Sequence, residues 1–134
     1  MANLNRLHAH EMAALLRSGD ISSRELTEAH LAVAERQNHA LNAWLVIYRT
    51  DALAQADAAD IRIAEARRAG GSALAQLHPL CGVPVALKDL VSVKGGQATA
   101  GSKILKGYIA PFDSTVTARL RAAGAVILGK TNMD

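Results

Sequence analysis

The chain is poor in aromatic residues and in cysteine, and both shortages restrict what it can be. With so few aromatics, the core has to be built from Ala, Leu, Val and Ile. A lone cysteine, Cys81, excludes an internal disulfide, so a reducing cytoplasm is the expected compartment. No apolar run approaches the roughly 20 residues of a membrane span, and Met1 to Asn5 lacks the apolar stretch of a signal peptide.

The remaining composition is that of one globular domain. Half of the 134 residues are hydrophobic and 20% are charged, which excludes a disordered chain. The formal net charge of +3 is spread along the sequence without a basic run, so it gives little support to a nucleic-acid surface.

The first half of the chain predicts two helices. One extends from Ala9 to Ser18 with Met12, Leu15 and Leu16 as its apolar stripe, and Gly19 ends it. The next begins at a capping box, in which Ser22 caps and Glu25 reaches back. Its predicted buried face is the set Leu26, Ala29 and Val33.

Two further helices are indicated by their ends. The third is expected from Asp51 to Ala69, capped by Thr50 and ended by Gly70 and Gly71. The fourth is expected from Thr115 to Ala123, capped by Asp113 or Ser114 and ended by Gly124. The expected apolar stripe of the third helix is Leu53, Ala56, Ile63 and Ala66.

Three short apolar runs predict strands, at Trp44 to Tyr48, Val83 to Leu87 and Ala125 to Leu128. Ser72 to Leu80 is expected to be a connector, and Val91 to Lys106 an irregular segment with glycine turns. Helices that alternate with apolar strands favour an α/β layered fold. Only six residues follow the last predicted strand, which leaves no room for its next crossover helix and predicts an incomplete domain.

The segment from Gly82 to Asp89 carries the chemistry. Side chains alternate along a strand, so Val83, Val85 and Leu87 share one face and Lys88 projects from the other. Strand ends are where α/β proteins place their sites, and an amine that loses hydration on burial can act as a base. The plainer interpretation is a lysine that reaches solvent from a strand end, with Asp89 as a solvated neighbour.

The run Gly-Val-Pro-Val-Ala-Leu-Lys-Asp at 82–89 resembles the lysine motif of the amidase-signature family. The match continues through Gly101 to Leu105, Pro111 to Val116 and Arg119 to Asp134, in the same order and spacing. The resemblance implies part of an α/β/α fold with a mixed central sheet, with residues 1–80 helical and 81–134 opening the catalytic core. It also implies a Ser–cis-Ser–Lys triad, in which Lys88 matches the base and both serines lie beyond the position of Asp134. These 134 residues are therefore expected to be inactive alone.

Within the family, Ser102 to Leu105 and Thr131 to Asp134 resemble the A subunits of glutamine-dependent tRNA amidotransferases. The resemblance implies glutamine as substrate, B and C partner subunits, and a misacylated tRNA handled by a partner that uses ATP and magnesium. No cofactor or metal is expected on this chain. Gln97 to Ala100 departs from the subgroup, where a second threonine is expected, and so a stand-alone amidase remains an alternative. A non-catalytic remnant or interaction module is the alternative from another class.

Other signals are weaker. Gly124 to Thr131 fits G-x-x-x-x-G-K-[ST], but its interior is strand-like, so Lys130 is interpreted as an ordinary strand-end residue and not part of a phosphate loop. His8 and His10 are two apart and are not expected on one helix face, and no histidine set suggests a metal.

Cys81 is expected to be a small buried residue. Ser92 and Ser102 are the only local partners for a Ser–Lys dyad, an arrangement that is not expected, and Ser102 is retained as a weak substrate-binding candidate.

Overall fold

A computed structural model describes residues 4–133. Five α-helices and three β-strands make up this part of the chain, together with 3₁₀ turns at Leu4–Arg6 and Lys103–Leu105. In chain order the elements are α1 (Ala9–Ser18), α2 (Ser23–Leu41), β1 (Trp44–Ile47), α3 (Arg49–Ala69), α4 (Gly71–Gln76), β2 (Pro84–Lys88), α5 (Thr115–Ala123) and β3 (Val126–Thr131). Within residues 4–133, no helix combines the length and apolar character needed to cross a membrane.

The sheet is mixed, as predicted. Its strand order is β1-β3-β2, with β1 antiparallel and β2 parallel to the central strand β3. The crossover from β2 to β3 contains α5, which is the usual way to connect parallel neighbours. All residues of β3 except Thr131 are buried, whereas β2 exposes Ala86 at the edge of the sheet.

Each face of the sheet has its own core. On one face, Val126 and Leu128 pack with Leu31 of α2 and with Ala52 and Ala56 of α3. The opposite face has a separate cluster made of Leu87, Val93 and Ile127, with Val85 and Leu120 against it. A third cluster joins α1, α2 and α3 to the segment before β2, and its buried members are Met12, Leu16, Leu26, Ala59, Ile63, Cys81 and Val83. The α/β layering predicted from the sequence is confirmed.

Helix boundaries follow the capping residues where those are strong. The bounds of α1 and α5 are as predicted, and Gly19 and Gly124 end them in the left-handed conformation. The Ser22 cap is confirmed, since its hydroxyl accepts a hydrogen bond from the Glu25 amide at 3.0 Å. Of the two candidate caps for α5, Ser114 is the one that accepts from the helix, from the amide of Thr117 at 3.2 Å.

The start of α3 was predicted wrongly. This helix begins at Arg49 and its N-cap is Tyr48, so Thr50 lies inside the first turn and does not cap it. The amide of Tyr48 donates to Leu128 of the sheet and its carbonyl accepts from Ala52, both at 2.8 Å. One residue therefore ends the pairing with β3 and starts the helix, and no polar cap is needed.

The predicted stripes of α2 and α3 are confirmed in part, since Leu26, Ala56 and Ile63 are buried as predicted. Ala29 and Val33 are only partly buried, while Leu31 and Ala34 are buried. In α3 the stripe contains alanines that let the helix approach the sheet and α2 closely, and its buried residues are Ala52, Ala56, Ala59 and Ile63. Each helix contacts other elements on more than one side, so small residues such as Ala34, Ala52 and Ala59 are buried as well.

Two other boundaries differ from expectation. The predicted connector at Ser72 to Leu80 begins with α4, which a positive φ of 63° at Gly70 separates from α3. The last strand begins at Val126 and continues to Thr131, because β1 and β2 both pair with its second half. Gly129 lies in that half, where an added Cβ would be 2.1 Å from the Val46 carbonyl oxygen of β1.

Candidate functional site

Lys88 is the last residue of β2, at the carboxyl end of a parallel strand. Its neighbour Leu87 is buried against the sheet core, whereas Ala86 and Lys88 alternate to the other side. The predicted strand-end position and facing of Lys88 are therefore observed. The lysine is half-buried and lies beside its parallel partner Thr131.

An open cleft of about 590 Å³ lies over the ends of β2 and β3, and it is lined by Ala43, Ala86, Lys88, Thr131, Asn132 and Met133. Asn132 connects the rim of the cleft to the residues before β1. Its backbone amide donates to the Ala43 carbonyl at 2.8 Å, and its side-chain amide donates to the Asn42 carbonyl at 3.0 Å. Lys88 is the one ionisable residue among these lining residues, so any acid–base chemistry that they provide depends on its amine.

Asp89, directly after Lys88, is fully buried on the opposite side of the strand end. One carboxylate oxygen accepts from the Lys130 ammonium at 3.0 Å. The other accepts from the Thr99 amide at 3.0 Å and, in a short hydrogen bond, from the Thr99 hydroxyl. The interpretation of Asp89 as a solvated neighbour of a surface lysine is thus wrong.

Lys130 is also fully buried, and the prediction that it is an ordinary strand-end residue is wrong. Its ammonium donates to Asp89 and, at 2.8 Å, to the carbonyl of Gln97. Because β3 continues past the predicted end at Leu128, Lys130 lies within the strand beside Leu87. The rejection of a phosphate loop is confirmed, since residues 126–128 and the lysine belong to one strand.

The hydrogen-bond donors around Asp89 stabilise its charged form. Burial raises the pKa of Asp89, but the hydrogen bonds from Thr99 and Lys130 outweigh it and hold the pKa below its ordinary value. Burial likewise raises the pKa of the Cys81 thiol. Cys81 is buried, so the prediction of a small buried residue is confirmed.

The two serines weighed as partners of Lys88 have other contacts. Ser102 caps the turn at Lys103–Leu105, where its hydroxyl accepts from Ile104 at 3.3 Å. It is next to Gly101, whose added Cβ would be 3.1 Å from Met133 of the cleft. The backbone carbonyl of Ser92 accepts a hydrogen bond from the Thr117 hydroxyl at 2.7 Å. Neither serine is among the residues that line the cleft.

The rings of His8 and His10 contact each other, although the two residues do not lie on one helix face. Their ring centroids are 5.7 Å apart in a stacked arrangement, with His8 as the extended N-cap of α1 and His10 in its first turn. No group of three His, Cys, Asp or Glu residues within the described range 4–133 is arranged to hold a metal ion.

The mixed sheet of these residues has the fold found in part of a solved amidase-signature enzyme. A solved bacterial aryl acylamidase described as a member of that class superposes on 94% of this chain with a TM-score of 0.78 and 26% identity, over 25% of its own length. The chain belongs to the amidase family, because the family model described as Amidase matches residues 25–134.

The curated relatives that match this chain include A subunits of a tRNA amidotransferase. The A subunit of glutamyl-tRNA(Gln) amidotransferase from Streptomyces coelicolor is 48% identical over 134 residues, and the corresponding protein of Geobacter sulfurreducens is 48% identical over 131 residues. These matches cover 100% and 98% of this chain, respectively, and 25% of each relative. The chain therefore spans about a quarter of the length of the curated relatives it matches.

A solved relative of different description has the same fold. The peptide amidase of Stenotrophomonas maltophilia superposes with a TM-score of 0.77 at 33% identity, over 95% of this chain and 25% of that enzyme. The same residues are thus similar in sequence to amidotransferase A subunits and in fold to other amidases.

Proposed function

We propose that this chain supplies the lysine-bearing first part of an amide-hydrolysing site, in the ammonia-supplying A subunit of a tRNA-dependent amidotransferase used in protein biosynthesis. The observation that carries the proposal is Lys88, which lines an open cleft at the end of a parallel strand. The similarity of the whole chain to amidotransferase A subunits supports the choice of subgroup.

In the proposed mechanism Lys88 is the base of a Ser–cis-Ser–Lys triad. The lysine takes a proton through a relay serine, and a second serine attacks the amide carbonyl. Both serines belong to a part of the family pattern that has no counterpart in these 134 residues. We therefore propose that residues 1–134 alone do not turn over an amide, because the nucleophile of the family pattern is not among them.

The proposed subunit works with partners. Glutamine hydrolysis would supply ammonia to a B subunit, which uses ATP and magnesium to activate misacylated tRNA, and a C subunit would complete the assembly. The products would be Gln-tRNA(Gln) or Asn-tRNA(Asn). No cofactor is assigned to this chain, and its proposed location is the cytoplasm, where tRNA is charged.

A stand-alone amidase is the competing proposal, and a specific observation supports it. Gln97 and Thr99 both contact Asp89, so the segment that departs from the amidotransferase subgroup lies beside the strand end that carries Lys88. The peptide amidase relative shows that the same fold occurs in an enzyme of that description.

A chimera tests the proposal. Residues 1–134 replace the matching first quarter of the Streptomyces coelicolor protein, and the product is purified with that organism's B and C subunits. The expected result is a stable complex that releases ammonia from glutamine and converts Glu-tRNA(Gln) to Gln-tRNA(Gln). A folded chimera that hydrolyses amides but does not assemble with B and C would favour the stand-alone amidase. A folded chimera with no amide hydrolysis would favour the non-catalytic module.

A further inference from the structure

Asp89 and Lys130 connect three parts of the chain at the end of the sheet. Asp89 follows β2, Lys130 lies in β3, and the segment 97–100 covers both from the side opposite the cleft. The ammonium of Lys130 bridges the Asp89 carboxylate and the carbonyl of Gln97. Both charged side chains have no exposure to solvent, so water cannot replace these contacts.

The backbone of Asp89 also forms hydrogen bonds to β3 and to the segment 97–100. Its amide donates to the carbonyl of Thr131 at 3.0 Å, and its carbonyl accepts from the amide of Ala100 at 3.1 Å. Ala100 has a φ of 49°, a left-handed conformation that alanine rarely adopts without support from its surroundings. The segment is therefore held in an otherwise disfavoured conformation by contacts that converge on Asp89.

Asp89 lies directly after Lys88, and its amide continues the pairing of β2 with β3. Side chains alternate along a paired strand, so a buried and bonded Asp89 restricts the rotation of the strand end that carries Lys88. Thr131 is paired with Lys88 and also lines the cleft, while the adjacent Lys130 is bonded to Asp89.

We infer that Asp89 is a positioning residue for Lys88, acting through a buried clamp formed with Lys130 and Thr99. This inference rests on the proposed function, since it assigns Asp89 the task of holding the base in line with the serine relay. Asp89 is not among the residues that line the cleft, and its effect on the reaction passes through the backbone and through Lys88.

The test uses the active chimera with three variants, Asp89→Asn, Lys130→Met and the double substitution. A matched control is Asp57→Asn, which breaks an exposed ion pair of 2.7 Å with Arg24. Asp89→Asn is expected to lower kcat for glutamine about 10- to 100-fold with KM within about twofold, because a displaced base affects the chemical step more than binding. The double variant is expected to recover thermal stability but not kcat, and the control to keep both.

Hydrogen exchange gives a second readout that does not depend on activity. In the Asp89→Asn chimera, the amides of Thr99 and Ala100 should exchange faster than in the parent chimera. If kcat recovers together with thermal stability in the double variant, the clamp has only a structural role and the inference is overturned. Unchanged exchange at Thr99 and Ala100 would overturn the clamp itself. A folded parent chimera without glutaminase activity would contradict the proposed function and with it the positioning role of Asp89. Hydrogen exchange would then still decide whether the clamp exists.

Discussion

Asp89 and Lys130 form an ion pair of 3.0 Å in which neither side chain is exposed to solvent. A buried pair of this kind contributes little over a well-packed apolar pair, but the loss of one partner leaves an uncompensated charge in the interior. Replacing one partner should therefore lower the free energy of unfolding more than replacing both partners together.

The first prediction concerns that asymmetry. Lys130→Met or Asp89→Asn in the chimera should each lower the free energy of unfolding by about 3–5 kcal/mol, whereas the double variant should lose much less than the sum. Urea unfolding of the parent and the three variants measures the coupling. Additive losses would mean that the two charges do not interact as the structure shows.

The second prediction is the pH dependence of the same pair. The pKa of Asp89 is lower in the folded state, so its charge contributes stability above the unfolded pKa of about 3.9, and this contribution is lost as the pH falls through the folded value. The stability difference between the parent and Asp89→Asn should be constant from pH 7 to about pH 5 and shrink below about pH 4. Urea titrations across this range test it, and a difference that already closes near pH 6 would contradict the lowered pKa.

The third prediction concerns the close approach of β1 to β3. A methyl group at Gly129 would lie 2.1 Å from the Val46 carbonyl oxygen, and backbone on both strands would have to move. Gly129→Ala should lower the free energy of unfolding by about 3 kcal/mol, at the upper end of the usual cost of overpacking. The matched control is Gly95→Ala, which also has a positive φ, 78°, but has open space around it. Equal shifts in Tm for the two variants would contradict the tight contact.

Several features of the fold were predictable because they depend on local chemistry. Ser22 with Glu25, and Ser114 with Gly124, fix helix ends through hydrogen bonds that span only a few residues. The strand-end position of Lys88 was predictable in the same way, from alternation along one short strand. These signals need no information about where distant parts of the chain lie.

The buried charge pair could not be predicted by those means. Asp89 and Lys130 are separated by 41 positions, and their contact depends on the parallel register of β2 and β3. The burial of Asp89 was nevertheless predictable from alternation along β2. If Lys88 faces the cleft, Asp89 lies on the core side, where a carboxylate needs a cation. The early start of α3, after Tyr48, escaped prediction for a related reason, since its first contacts are with β3.

The fourth prediction is that the 134-residue chain alone associates in solution and is inactive. Ile104 is 93% exposed, Phe112 62% and Val116 53%, and β2, with its exposed Ala86, is an edge strand of the sheet formed by residues 4–133. Exposed apolar side chains and open edges promote association. Sedimentation should show dimers or larger species, and glutamine turnover should stay at background. A monodisperse monomer with a sharp unfolding transition would contradict the first part, and turnover above background the second.

The most direct test of the account is ammonia release from glutamine by the Lys88→Met chimera. The matched control is Lys106→Met, which removes the same charge from an exposed position outside the cleft. If Lys88 is the base, Lys88→Met should lose at least about 10²-fold in kcat while its Tm stays near that of the parent, and Lys106→Met should retain full turnover. Parental turnover in a folded Lys88→Met chimera would show that the strand-end lysine is not the catalytic base.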